Sequence, residues 1–269
     1  ANKLIVISKA KGKPAHGAIW DTERVIKEKK WILEVLSPKE VSEISNLRIN
    51  EGDKSGTQVI WLNMDRYSKD REDSHTVIDK ELTKDHNKIK NAIALLFHRY
   101  LDKSGEDKDL KKINVVINGV KIQAFDPFMK IYPGYEQTGT SILYDKGEQI
   151  NIKIHNIPHL SKLTAQQKKE VGGEENYNAK QGFYIYRNKR LMIPGDWLGT
   201  HAAGVLGNRA RVQVDIPSKM DDIYGTDVKK ASFQFPPTFK RHLAGLGRVA
   251  QSDSKKDYIR RSKSTAAVN

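Results

Sequence analysis

Cysteine is absent from the 269 residues, which excludes a disulfide framework and any thiolate metal site. No apolar run approaches the roughly 18 residues a membrane span needs, and no basic segment followed by an apolar stretch opens the sequence. A soluble, cytoplasmic protein with no membrane partner is the expectation. Phosphate-cradling glycine patterns are missing as well. No P-loop occurs, and Gly245 and Gly247 fall inside a helical stretch rather than after a strand, which is the wrong place for a dinucleotide fingerprint. His155 and His159 stand four apart, but Pro158 and the strand alternation before it deny them a shared helix face for a metal. His98 has no carboxylate pattern that would make it a relay, so no general base and no catalytic residue is assigned in this chain. Asp221 and Asp222 are adjacent and read as ordinary turn residues.

Positive charge is what the chain has in excess. Lys and Arg number 47 against 33 Asp and Glu, a formal charge of +14. Such a balance suits a polyanionic partner, DNA included, although mixed signs along residues 69–90 also describe an ordinary solvated surface.

Apolar patterning divides the chain. Leu4, Ile5, Val6 and Ile7 form a buried-strand pattern at the very start, a strand that needs partners from elsewhere. Strands are expected at Leu4–Ser8, Ala18–Trp20, Trp31–Leu36 and Thr57–Met64, with no helix of useful length among them. The polar run Arg66–Lys80 reads as a linker. Thr83 is placed to cap a helix whose stripe is Ile89, Ala92, Ile93, Leu96, Phe97, Tyr100 and Leu101, ending by Gly105.

Further on, Ile113–Ile117 and Val120–Gln123 flank Asn118-Gly119, the strongest short-range hairpin signal. Gln149–Ile154 alternates like a strand. Gly182–Tyr186 and Leu191–Ile193 suggest a second hairpin, and Arg209–Ile216 a last strand stopped by Pro217. Pro237 opens a helix through Phe239, Leu243, Leu246 and Val249 toward Ala250, followed by a basic tail with Lys255, Lys256, Arg260, Arg261 and Lys263. The divisions are residues 1–68, 83–235 and 236–269.

The strings Ser55-Gly56-Thr57, Phe97-His98-Arg99-Tyr100-Leu101, Val116-Ile117-Asn118-Gly119, Asp126-Pro127-Phe128, the run from Gly182 to Leu191, and Asp227-Val228-Lys229-Lys230 occur in a telling order. That order resembles the bacterial GHKL ATPases, a family that also holds gyrase B, MutL, a heat-shock chaperone and the MORC proteins. The likeness is to the MORC-like members, and it starts downstream of the family's ATP lid. The resemblance implies an α+β fold: antiparallel strands completing a GHKL ATPase sheet, then a ribosomal-protein-like β-α transducer, then a C-terminal helix. It also implies that the catalytic Glu, the magnesium-holding Asn and the adenine segment lie on an upstream half, the first expected partner. ATP and magnesium would be cofactors of the full-length protein, with none held tightly by this part.

Two family positions have counterparts. Gly56 and Thr57 match the Gly-Thr that enters the last strand of the nucleotide domain, where the Thr hydroxyl would bond near adenine. Lys229 or Lys230, with Lys230 preferred, matches the transducer lysine that reaches the terminal phosphate. The implied function is to sense that phosphate and pass nucleotide state to domain closure, homodimerisation or a partner. The alternative is a basic nucleic-acid-binding module with no ATPase role, whose candidate contacts are Arg187, Lys189 and Arg190 at the second hairpin's tip, beside Tyr184 and Tyr186 on one strand face.

Overall fold

The alternation at the start of the chain does form a strand. A computed structural model describes residues 1–44, 55–64, 75–103, 105–221, 224 and 235–266, and in it the chain separates into two compact units, Ala1–Glu81 and Leu82–Asn269. In the first, β1 (Lys3–Lys9) lies antiparallel to both β2 (His16–Asp21) and β4 (Gly56–Leu62), and β3 (Glu34–Leu36) extends the sheet beyond β2. Period two sends Ile5 and Ile7 to one face, where they pack with Leu36, Val41, Ile19 and Ile60.

Two short helices occupy a stretch expected to hold only strands. Helix α1 (Thr22–Glu28) starts because the Asp21 carboxylate accepts from the amides of Glu23 and Arg24, at 3.0 and 3.3 Å, and it stops at Lys29, whose φ is 50°. Helix α2 (Pro38–Ser42) carries a capping box in which the Ser37 amide donates to Glu40 at 2.8 Å and Ser37 Oγ accepts from the Glu40 amide at 3.4 Å. The helix sets Val41 on the sheet. The expected strand from Trp31 therefore shrinks to Glu34–Leu36, because the chain must leave one cap and enter the next.

Helix α3 (His75–Leu96) begins earlier than the sequence suggested, so Thr83 lies inside it rather than at its cap, and residues 75–80 are helix, not linker. After a break at Phe97, α4 (His98–Leu101) ends at Asp102, whose extended ψ of 113° stops it before Gly105. The Asn118-Gly119 hairpin forms, with φ of 49° and 81° at the turn, but its paired strands β5 (Val116–Ile117) and β6 (Val120–Lys121) are two residues each.

The main sheet of this unit runs β10-β9-β11-β8-β7. Strand β7 (Glu136–Asp145), absent from the sequence reading, turns through Lys146 and Gly147 into β8 (Glu148–Asn156). Strands β9 (Gly182–Arg187) and β10 (Arg190–Asp196) form the second hairpin through Asn188 and Lys189, both left-handed at φ of 46° and 68°. Strand β11 (Ala210–Ile216) lies at the centre, parallel to β9 and antiparallel to β8. Between β8 and β9 come α5 (Ala165–Glu170) and α6 (Gly173–Ala179).

The last helix, α7 (Pro237–Ala266), is longer than expected and is packed on the sheet, so residues 236–266 belong to the second unit. Phe239, Leu243 and Ala250 join Ile150, Ile152, Ile154, Phe183, Ile185, Val212 and Val214 in one core. Burying a side chain such as Leu243 contributes about 2 kcal/mol. The helix passes Ala250 because polar residues beyond it are bonded to the domain: Ser254 Oγ donates to the Leu206 carbonyl at 2.7 Å, and the Tyr258 hydroxyl donates to Asn208 at 2.9 Å.

Gly182, at the start of β9, has φ of +115°, and a Cβ placed there would sit 2.7 Å from the carbonyl carbon of Asp196. Neither the angle nor the backbone of β10 can accommodate a methyl group. Gly182→Ala is expected to lower stability by at least about 2 kcal/mol, read as a drop in the urea midpoint without loss of transition steepness.

Candidate functional site

Among the described residues, one face of the first unit's sheet is covered and the other is bare. On the bare face Leu4 stands between Trp20 of β2 and Trp61 of β4, and Val6 between Ala18 and Val59, with Val35 of β3 beside Ala18. Trp61 is 65% exposed and Val59 52%. Trp31, 85% exposed, stacks on Trp20 with ring centroids 5.9 Å apart. A shallow hollow of about 320 Å³ opens among Leu4, Trp20, Trp61 and Met64.

Thr57 belongs to this face. It shares the parity of Val59 and Trp61 along β4 and pairs with Ser8 of β1, their hydroxyl oxygens 3.1 Å apart. Gly56 precedes it opposite Lys9, with open space where a side chain would stand. An exposed hydroxyl pair at the end of an aromatic and aliphatic surface can present donor and acceptor to the edge of a planar ring lying on that surface. Lys229 and Lys230 lie outside the described residues.

The hairpin-tip cations are in the second unit, and each has a partner within the chain. Arg187 donates from Nε to Asp221 Oδ1 at 2.6 Å and from Nη2 to its other oxygen, a bidentate pair that makes Asp221 more than the ordinary turn residue expected. Lys189 Nζ is 3.4 Å from Asp107, and the Arg190 guanidinium lies 5.1 Å from the centroid of Phe97. Tyr184 and Tyr186 are buried at 3% and 0% exposure against Phe128 and Leu191, so they offer no surface for stacking bases. Sequence spacing shows the charges, but their partners come from 34 to 93 positions away and leave no local trace.

A polar layer that sequence reasoning missed lines the sheet face opposite α7. Arg99 bridges two carboxylates: Nε and Nη2 donate to Asp107 at 2.6 and 2.7 Å, and Nη1 donates to Asp215. Although burial opposes it, these bonds raise the Arg99 pKa, and Arg99 with Lys189 holds Asp107 down at about 2. His98 Nε2 and the Tyr186 hydroxyl share a hydrogen bond of 2.8 Å, as do His155 Nδ1 and the Tyr135 hydroxyl. Burial, aided by the charges of Arg99 and Lys130, pushes His98 down to about 3, and burial with Lys130 does the same to His155. His159 accepts from the Ser161 amide at 3.1 Å and faces Tyr258, well apart in role from His155. Among the described residues, no group of three or more His, Asp or Glu is placed to hold a metal ion.

No family model matches the chain, and no curated protein sequence matches it. Among the described residues no helix is long and apolar enough to cross a membrane.

Two outcomes follow from the polar layer. Arg99→Met leaves the half-buried Asp215 without its cation and Asp107 with Lys189 alone, and is expected to cost about 3–5 kcal/mol, measured by urea denaturation. The histidines have folded pKa values below the ordinary value near 6.5, so the unfolded chain takes up their protons first as pH falls. Their contribution is intact above about pH 6.5 and is lost on acidification toward about 3. The unfolding free energy is expected to fall between pH 6.5 and 5 by up to about 1.4 kcal/mol per pH unit for each histidine, and His98→Asn to flatten that slope.

Proposed function

We propose that this chain is the transducer part of a GHKL-type ATPase, sensing the terminal phosphate of ATP and converting nucleotide state into domain closure, dimerisation or partner binding. The observation that carries the reading is the bare sheet face of the first unit. Thr57, the residue the family resemblance assigns to the adenine, sits on that face in line with Val59 and Trp61, at the end of an apolar surface. Among the described residues, a four-stranded sheet with apolar packing on one face and exposed Trp and Val side chains on the other is half of a layered structure. In this reading the other half is the ATP-binding segment that carries the catalytic Glu and the magnesium-holding Asn, with ATP and magnesium bound chiefly there.

In this arrangement Gly56 admits close approach of the nucleotide at the strand entrance, and Thr57 with Ser8 offers hydroxyl groups to the purine edge or a water bonded to it. Lys230, or its neighbour Lys229, supplies the ammonium that pairs with the terminal phosphate while it is present and releases when it leaves. The mixed sheet backed by α7 gives the second unit a rigid body able to move as a whole. Nucleic-acid recognition at Arg187, Lys189 and Arg190 has less in its favour, since those cations are engaged by Asp221, Asp107 and Phe97.

The test is ATP turnover by the chain alone and by the gene product extended upstream of residue 1. The extended protein is expected to hydrolyse ATP with a tryptophan emission shifted to the blue as Trp20 and Trp61 become covered, and Lys230→Ala to slow its turnover at least about tenfold, the scale of one charge-assisted contact. Hydrolysis by the isolated chain at the rate of the extended protein, or an unshifted emission, overturns the proposal.

A further inference from the structure

The second unit contains a cavity of about 670 Å³, within the size range of sites for small organic ligands. Its walls come from α3, the segment around Phe125 and Met129, the end of α5, α6, β9 and β11. None of this belongs to the surface around Thr57.

Arg211 of β11 lines it and is only 2% exposed. Its Nη1 donates to the carbonyls of Asn208 and Ala210 at 2.7 and 3.0 Å, and its Nη2 to the carbonyl of Tyr177 at 3.0 Å. Nε is buried and makes no hydrogen bond. The guanidinium lies 5.8 and 5.9 Å from the ring centroids of Tyr177 and Tyr184. Arg99 and Arg209, also withdrawn from water, each hold an aspartate. Among the described residues Arg211 holds none. Neutral carbonyls and ring faces orient a guanidinium, but they do not cancel its charge, and a buried uncompensated charge is costly.

The surroundings add to the imbalance. Lys169 and Lys180 also line the cavity, and the one acidic lining residue among those described, Glu170, already accepts from the Tyr132 hydroxyl at 3.2 Å and from Gln166 at 3.1 Å. The rest of the wall is largely apolar, with Leu95, Phe125, Met129 and Ile157. Cationic groups beside an apolar wall match a molecule with one anionic end and a hydrocarbon or aromatic body. Both Nη groups of Arg211 are committed to carbonyls, so the donors left favour a singly charged head over a phosphate, which needs several.

We propose that this cavity binds a small carboxylate with an apolar body, the carboxylate compensating Arg211 and Lys180 and the body lying against Leu95, Phe125 and Met129. The site is independent of the ATPase reading, since it involves neither Thr57 nor Lys230. Occupancy would tie α3 and α6 to the central strands, so ligand binding would stiffen the face of the sheet opposite α7.

The experiment is isothermal titration of the chain with octanoate and, as a neutral match in size, with 1-octanol. Octanoate is expected to bind at least about tenfold more tightly, the size of one charge-assisted contact. Lys180→Gln, at a part-exposed position whose backbone role is untouched, is expected to narrow that ratio at least about threefold. Ala92→Trp, an exposed helical position on the cavity wall, is expected to abolish octanoate binding while leaving the circular dichroism melt unchanged. Equal affinity for the two probes, no octanoate binding at millimolar concentration, or octanoate binding that survives Ala92→Trp, as it would if the probe sat on the bare sheet face, overturns the proposal.

Discussion

A guanidinium cannot be taken from water without acceptors, and the central strand of the second unit takes two, one just before it and one within it. Arg209 donates to the carbonyl of Ile157 at 2.7 Å, to the carbonyl of Gly134 at 3.4 Å and to Asp257 of α7. Those three acceptors belong to the segment after β8, the loop before β7 and the last helix, so one side chain fixes the positions of all three. The alternation of β11 then completes the arrangement. Val212 and Val214 face α7, while Arg211, Gln213 and Asp215 face the other way and must find polar partners. Asp215 finds Arg99, and through it the loop at Asp107 and the hairpin tip at Lys189. A sheet with oil on one side and a bonded polar layer on the other has only one register that satisfies both.

What the sequence revealed follows the range of the interactions involved. The Asn118-Gly119 turn, the second hairpin and the start of α7 at Pro237 were legible because their determinants are adjacent residues: left-handed turn positions, alternation, and a fixed φ at a first helical turn. The capping box at Ser37 and Glu40 was equally local, yet it was hidden inside a stretch read for β-propensity. Strand β7 escaped because Gly139 and a register shift between Gln137 and Gly139 interrupt its alternation. The end of α7 was placed too early because Ser254, Asp257 and Tyr258 hold it by polar bonds to distant loops rather than by an apolar stripe.

The sites divide in the same way. That Thr57 enters a strand was readable from Gly56 and the alternation after it. That its hydroxyl shares a face with Trp61 and Trp20 depends on the pairing of β1 with β2 and, across a long interval of sequence, of β4 with β1. The cavity beside Arg211 had no sequence trace at all, because its walls are drawn from residues between Asn91 and Arg211. At the hairpin tip composition counts cations, and only geometry shows that Arg187 and Lys189 lie against aspartates and Arg190 against a ring.

The bare sheet face has a colloidal consequence. Beside it, among the described residues, β3 and β4 are the outer strands of the sheet. Exposed tryptophan and valine side chains on one sheet face favour self-association, and the opposing influence is the chain's formal charge of +14. That repulsion extends about 10 Å at 0.1 M salt and about 3 Å at 1 M. The concentration at which these molecules remain separate is therefore governed by ionic strength, through a balance between the area of one uncovered surface and the reach of a diffuse positive field.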